Sequence, residues 1–341
     1  VYPCYDRRTM PILALVLALS MADDWDPAKA SRKLDERAAM WQAHERTRRS
    51  HDTNCISCHS GAPYLIARAS LRKLTGESEL ATAEKALLDD VALRVQRWSE
   101  VEPWYSHTEA KVRESRATEA ILNAFVISYR EPGAASELRM QALANVWTEQ
   151  RPDGGFDWLH FDLAPWETDE SGLFGSCLAA VAASTGPSGN AESLDRLARY
   201  LRTNASSSKH LHSRLGLLWA EAFRPGLLAS ADRKALLEAV LAAQKDDGGF
   251  LLSDLGPWKR KSAREDAYAT GLAVHVLEKL GDPAARPAVE RGLSWLVSHQ
   301  DELGGWVAES ANKDRSGDDP FIAGFMSDAA SAFAVLALSS R

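Results

Sequence analysis

A seven-residue phrase that returns three times limits the fold of this chain more than any other feature. It reads Gln150-Arg151-Pro152-Asp153-Gly154-Gly155-Phe156, then Gln244-Lys245-Asp246-Asp247-Gly248-Gly249-Phe250, then Gln300-Asp301-Glu302-Leu303-Gly304-Gly305-Trp306. Each phrase closes a stretch with amphipathic helical spacing. After a polar loop, each opens onto an Ala-rich apolar stretch such as Tyr268 to Val274 or Ala329 to Val335. The first two loops share a further element, Asp162-Leu163-Ala164-Pro165-Trp166 and Asp254-Leu255-Gly256-Pro257-Trp258. The glycine pair supplies the positive φ that stops a helix and reverses the chain. The glutamine can bond backbone groups that the helix end leaves unpaired. The aromatic that follows packs against a neighbouring hairpin. A helix apolar all round must be buried, and an amphipathic one can cover it.

Three weaker hairpins run from Lys33 to Leu74, Leu87 to Tyr129 and Leu194 to Phe223. The expectation is an all-α, (α/α)6 toroid of about six hairpins, with apolar helices inside and amphipathic helices outside. It would occupy residues 23–341 as one domain. Gly-x-Gly phosphate loops are absent, which disfavours a nucleotide-binding α/β fold. The net charge of −7 and the lack of basic runs exclude a nucleic-acid footprint.

Asn54-Cys55-Ile56-Ser57-Cys58-His59 carries C-x-x-C-H, the attachment pattern of c-type haem. Two thiols at this spacing add to the two haem vinyl groups, and the next histidine reaches the iron. Cys55 and Cys58 are therefore the expected covalent anchors of one haem c, and His59 the proximal ligand. The motif falls in the first hairpin loop, residues 51–61, where the other hairpins carry the Gln-Gly-Gly turn. Other readings stay open: a Cys55–Cys58 disulfide, a zinc site with His59, or an accidental match. Candidates for a second axial ligand are Met40, His44, His51, His107, His160, His210, His212, His275, His299 and Met326. His107 is favoured because it sits in the corresponding loop of the next hairpin.

The Q-x-x-x-G-G-[FW] phrases resemble the QW-type repeats of squalene–hopene cyclases and the repeats of protein prenyltransferase β subunits. Both families are α/α toroids with a central apolar cavity, so the resemblance implies that architecture. It does not carry their chemistry. The D-x-D-D general-acid motif of hopene cyclases is absent, and no prenyltransferase zinc set is recognisable. A toroid that also carries C-x-x-C-H resembles a group of exported bacterial proteins. The aromatics of the inner helices read as core.

Residues 1–22 read as an export signal: Arg7-Arg8, an apolar run from Pro11 to Leu19, then Ser20-Met21-Ala22. The expected location is the periplasm of a bacterium, and Cys4 would leave with the signal. Beyond that segment no run is long enough to predict a transmembrane helix. Cys177, in an apolar stretch, reads as a buried free thiol. Glu119, Glu170, Asp266 and Asp328 recur near the starts of apolar helices and read as caps. Their functional alternative is a ring at the haem mouth, with Arg116, Arg264 and Lys313 holding the propionates. Three functions follow: a haem protein with a redox partner protein, an enzyme on a small apolar, isoprenoid-like ligand in the toroid, or a haem-free repeat scaffold.

Overall fold

The computed structural model describes residues 25–340 except 263. The proposed signal, with Cys4, lies outside these residues. Among the described residues the chain forms thirteen α-helices and no strand beyond isolated bridge pairs. Six hairpins follow one another: α1 (Pro27–Ala43) with α2 (Gly61–Thr75), α3 (Thr82–Gln96) with α4 (Glu109–Arg130), and α5 (Glu137–Thr148) with α6 (Ser171–Ser184). Next come α7 (Ala191–Ala205) with α8 (Leu211–Phe223), and α9 (Ser230–Ala243) with α10 (Ala267–Leu280). The sixth pairs α11 (Arg286–Ser298) with a single turn, α12 (Pro320–Ala323), running into α13 (Phe325–Leu338).

The second helix of every hairpin packs on that of the next, α2 on α4, α6, α8, α10 and α13 in turn, and α13 returns to α2. The ring is closed, and the fold is the expected α/α toroid. Its two rings differ as the sequence patterns require. In α7, Leu194, Leu197, Ala198, Leu201 and Ala205 are buried, a helical stripe facing inward. In α6 every residue from Leu173 to Ala183 is buried. The stretch 320–338 is long and apolar enough to cross a membrane by length and composition alone, but 72% of its apolar 18-residue window is buried inside the toroid. It serves here as the last inner helix.

The repeated phrase is the joint between hairpins. Gly154, Gly248 and Gly304 have φ of +92°, +99° and +91°, a region that side chains disfavour. A Cβ there would also lie 2.4–2.5 Å from the backbone of Arg196, Arg291 and Lys29 respectively. The glutamine Nε2 of each phrase donates twice. Gln150 donates to Gly154 O and Ser193 O, Gln244 to Gly248 O and Ala288 O, and Gln300 to Gly304 O and Asp26 O. Each glutamine thus ties its own turn to the following outer helix. The third does so across 274 residues of sequence, and Asp26 N returns a 2.7 Å bond to Gln300 Oε1. That seam joins the last loop to the first helix. Phe156, Phe250 and Trp306 are buried behind these joints.

The toroid axis is filled. Phe125, Tyr129, Trp219, Tyr268 and Phe333 meet edge to face along it. This is the arrangement that ring quadrupoles favour. The gap beside Phe125, Trp219 and Phe333 is about 20 Å³, room for about one water. The aromatics along the axis are core, as the sequence predicted, whereas Phe325 at the start of α13 faces open space.

Candidate functional site

Open space lies at one mouth of the toroid, where the loops leading into the inner helices gather. Two adjoining cavities of about 230 and 400 Å³ share Cys58, His59, Tyr105, Glu167, Ile322 and Phe325 in their walls. Cys55 faces the smaller one. The whole C-x-x-C-H motif therefore borders one hollow.

The motif loop is held from several sides. Cys55 N donates to Thr47 O at 2.8 Å, Cys55 O accepts from Trp41 Nε1 at 2.7 Å, and Asn54 N donates to Asp90. Beneath it, the buried pair of Arg94 and Glu119 reaches up to Thr53 Oγ1 and across to Glu102 O. Ser57 sits at φ +53° and accepts from Ser60 N through its Oγ. The loop turns sharply there into α2.

Neither Cys55 nor Cys58 is in a disulfide. Burial pushes the Cys55 thiol up to about 11 and raises Cys58 well above the ordinary thiol range. Burial thus disfavours the free thiolate that a redox nucleophile needs. Among the described residues no three His, Cys, Asp or Glu side chains converge as a metal site would require.

His59 is stacked on Phe325 at 4.3 Å, with the edge of Trp41 5.4 Å away. Its Nδ1 lies 2.9 Å from Ser60 Oγ, and that hydroxyl donates to Asp328 Oδ2 at 3.1 Å. With Asp328 ionised and taking the hydroxyl proton, Nδ1 carries the imidazole proton. Nε2 is then a bare lone pair, without a protein hydrogen bond among the described residues. Asp328 is steadied by Arg37 at 2.5 and 3.1 Å. Burial holds His59 down to about 3, with a push from Arg315, so the ring is neutral at ordinary pH. A neutral imidazole whose other nitrogen is fixed by a hydrogen bond is how proteins present a metal ligand.

The walls hold unmet donors as well. Trp104 Nε1 and Arg49 Nε are buried without a partner among the described residues, and both residues line the smaller cavity with Arg46. Arg315 lines the larger one. Glu167 stands where the cavities meet. Burial pushes its carboxyl up to about 7, against Lys111 and with Glu114, so a part of the population keeps its proton near neutral pH.

His107 is exposed and lines neither cavity; the structure does not bring it to His59. Of the sequence candidates for a second ligand, Met326 borders the hollow together with His59. The expected propionate cations are elsewhere. Arg116 bonds Trp98 O and Val101 O, Arg264 is 71% exposed near Glu309, and Lys313 pairs with Asp318. The acidic residues divide. Asp266 caps α10 through Tyr268 N and Ala269 N. Glu119 instead lies inside α4 as the partner of Arg94. Glu170 bonds the amides of Lys209 and His210, ahead of α8 rather than its own helix. Cys177 is free and buried. Sequence reasoning missed Ser60 and Glu167, which match no motif; Ser60 was nonetheless the residue directly after the motif.

No protein-family model matches this chain, and neither does any curated protein. Solved structures do. A protein from Actinoplanes aligns with TM-score 0.55 and 14% identity over 93% of this chain and 100% of its own. The type II terpene cyclase MstE from Scytonema aligns with TM-score 0.51 and 18% identity over 92% and 98%. A glycosidase aligns with TM-score 0.50 and 12% identity over 92% and 97%. At these identities the likeness is one of fold, and that fold is the terpene-cyclase-like helical toroid.

Proposed function

We propose that this chain is a c-type haem protein built on an α/α toroid, with Cys55 and Cys58 as covalent anchors and His59 as an axial ligand. One observation carries the reading: both thiols and the His59 imidazole border the same hollow, with Nδ1 engaged by Ser60 Oγ. The residues present suit the group. Thioether sulfurs are uncharged and tolerate a site that suppresses thiolates. The unmet N–H groups of Arg49 and Trp104, with Arg46 and Arg315, are donors for propionates. Trp41, Phe321 and Phe325 offer apolar faces to a macrocycle. Bound there, the haem would supply one-electron chemistry. The protein's part would be to orient His59 through Ser60 and Asp328 and to limit water with the aromatic wall. Met326 is the candidate second ligand in place of His107. Export to the periplasm, where such attachment occurs in bacteria, belongs to the same proposal, as does a redox partner protein.

A second reading is favoured by Glu167, a partly protonated carboxyl in an aromatic-walled hollow: the mouth cavity receives a small apolar, isoprenoid-like ligand and Glu167 acts as an acid upon it. The filled axis restricts such a ligand to the mouth.

The test is expression of the full chain in a bacterium with the c-type maturation system. A pyridine haemochrome spectrum of c type after denaturation, with haem mass on the Cys55–His59 peptide, is expected. Absence of covalent haem in competent cells refutes the first reading. Isoprenoid turnover lost in Glu167→Gln, with binding retained, would then support the second.

A further inference from the structure

The aromatic side chains on the axis form an unbroken file from the motif mouth to the opposite one. His59 lies 5.8 Å from Trp166, Trp166 lies 5.1 Å from Tyr268, and Tyr268 lies 5.4 Å from Phe333, centre to centre. Phe333 is 6.2 Å from Trp219, and Trp219 is 5.7 Å from Tyr129. Tyr268 begins α10, Phe333 is midway along α13, Trp219 is late in α8, and Tyr129 is in the last turn of α4. Tyr268 and Trp219 are fully buried, while Tyr129 is half-buried at the far end.

Packing alone explains stacked rings. It does not explain why both tyrosines in this file meet a histidine. Tyr268 Oη is 2.8 Å from His212 Nε2, and Tyr129 Oη is 2.5 Å from His275 Nε2. Both histidines are buried among apolar neighbours, where burial keeps the ring neutral and able, in the tautomer with a bare Nε2, to accept from the phenol. A phenol that loses an electron becomes a far stronger acid than imidazolium. It is oxidised readily only where a base waits to take its proton, and each tyrosine here has one.

We infer that the toroid axis is a charge-transfer path: an oxidising equivalent at the Cys55–His59 mouth passes through Tyr268 and Trp219 to Tyr129 at the opposite mouth. At each tyrosine the electron leaves toward the mouth, the phenolic proton moves to His212 or His275, and a neutral tyrosyl radical remains. Return of an electron returns the proton. For the source of the oxidising equivalent the inference rests on the haem reading, with a hydroperoxide as oxidant. Hydrogen peroxide takes two electrons as it becomes two waters. Tyr268 and Tyr129 provide one each, their protons stay on the histidines, and solvent supplies those the peroxide takes up. Phe333 is a spacer, too hard to oxidise to hold the charge itself.

The path can be tested without haem. Leu163 is exposed at the rim of the larger cavity, so Leu163→Cys, in a Cys4→Ser/Cys55→Ser/Cys58→Ser chain, takes a ruthenium(II) polypyridyl label there. Flash excitation with a cobalt(III) quencher makes ruthenium(III), and freeze-quench electron paramagnetic resonance identifies the radicals. The expected result is a tyrosyl signal with two contributions. Tyr129→Phe removes one, Trp219→Phe removes that same one while sparing Tyr268, and Tyr268→Phe removes both. No tyrosyl signal, or a Tyr129 signal that survives Trp219→Phe and Tyr268→Phe, overturns the inference. If the serine background does not fold, azide radicals from pulse radiolysis oxidise tryptophan in the parent chain. Growth of tyrosyl at tryptophanyl's expense, lost in Tyr129→Phe/Tyr268→Phe, is then required, and its absence overturns the path. Covalent haem is read separately by the haemochrome, so the two readings fail independently.

Discussion

Replacing Gln300 with leucine probes how the ring is closed. The side chain makes three bonds: Nε2 to Asp26 O at 3.0 Å, Nε2 to Gly304 O at 3.0 Å, and Oε1 from Asp26 N at 2.7 Å. A typical intramolecular hydrogen bond contributes about 1 kcal/mol net, and more when its loss strands a buried partner. Asp26 is half-buried and Gly304 buried, so water recovers only part of the loss, and Gln300→Leu is expected to cost about 2–3 kcal/mol. Leucine keeps the bulk, so no cavity term enters. The equivalent Gln244→Leu loses the matching donations to Gly248 O and Ala288 O and should cost about the same. The two differ in where the structure loosens. Gln244 joins hairpins that the chain already connects, whereas Gln300 joins the two ends of the ring. Hydrogen exchange should therefore speed up selectively in α1 for Gln300→Leu, by up to about a hundredfold if the seam opens as a unit. Urea unfolding gives the stability and exchange mass spectrometry the location. A loss below about 0.5 kcal/mol, the scatter of unremarkable surface changes, would refute the reasoning. So would exchange that rises evenly around the ring.

Glu167 binds its proton more tightly folded, at about 7, than unfolded, so its contribution to stability falls as pH rises from about 4.5 to about 7. At about 1.4 kcal/mol per unit the loss is about 2–3 kcal/mol after allowing for partial exposure. Glu167→Gln should flatten that slope in denaturation curves taken from pH 5 to 8; an unchanged slope refutes it. Arg94→Met leaves Glu119, fully buried in α4, without its partner and should cost about 3–5 kcal/mol. A thermal or urea midpoint like that of the parent would contradict this. In haem-loaded chain, Ser60→Ala takes the acceptor from His59 Nδ1, making the ring a weaker donor, so the reduction potential should rise in a redox titration. No change would mean that Ser60 and Asp328 do not tune His59. Met326→Ala should alter the visible spectrum if this sulfur is the second ligand, and His107→Ala should not.

Much of the fold was legible in the sequence because its cause is local. Gly154, Gly248 and Gly304 announce themselves as residue types, since only glycine takes that φ cheaply. The contrast between α7 and α6 is written in their apolar spacing. The Cys55–His59 motif is equally local, because the chemistry it matches fixes its spacing. What the sequence did not contain was distance between residues far apart along it. That Gln300 reaches Asp26 and seals the ring depends on the curvature accumulated over six hairpins. That Asp328 meets Ser60, 268 positions away, and fixes the tautomer of His59 depends on α13 lying against α2. The same reach misassigned the cations. Arg116, Arg264 and Lys313 sit in plausible places within their hairpins, but the cations that line the hollow are Arg46, Arg49 and Arg315. His107 lost its role in the same way, by facing solvent two residues from a tyrosine that lines the cavity. Hydrophobic period and backbone geometry specified the hairpins, while ring closure alone decided which side chains share the mouth.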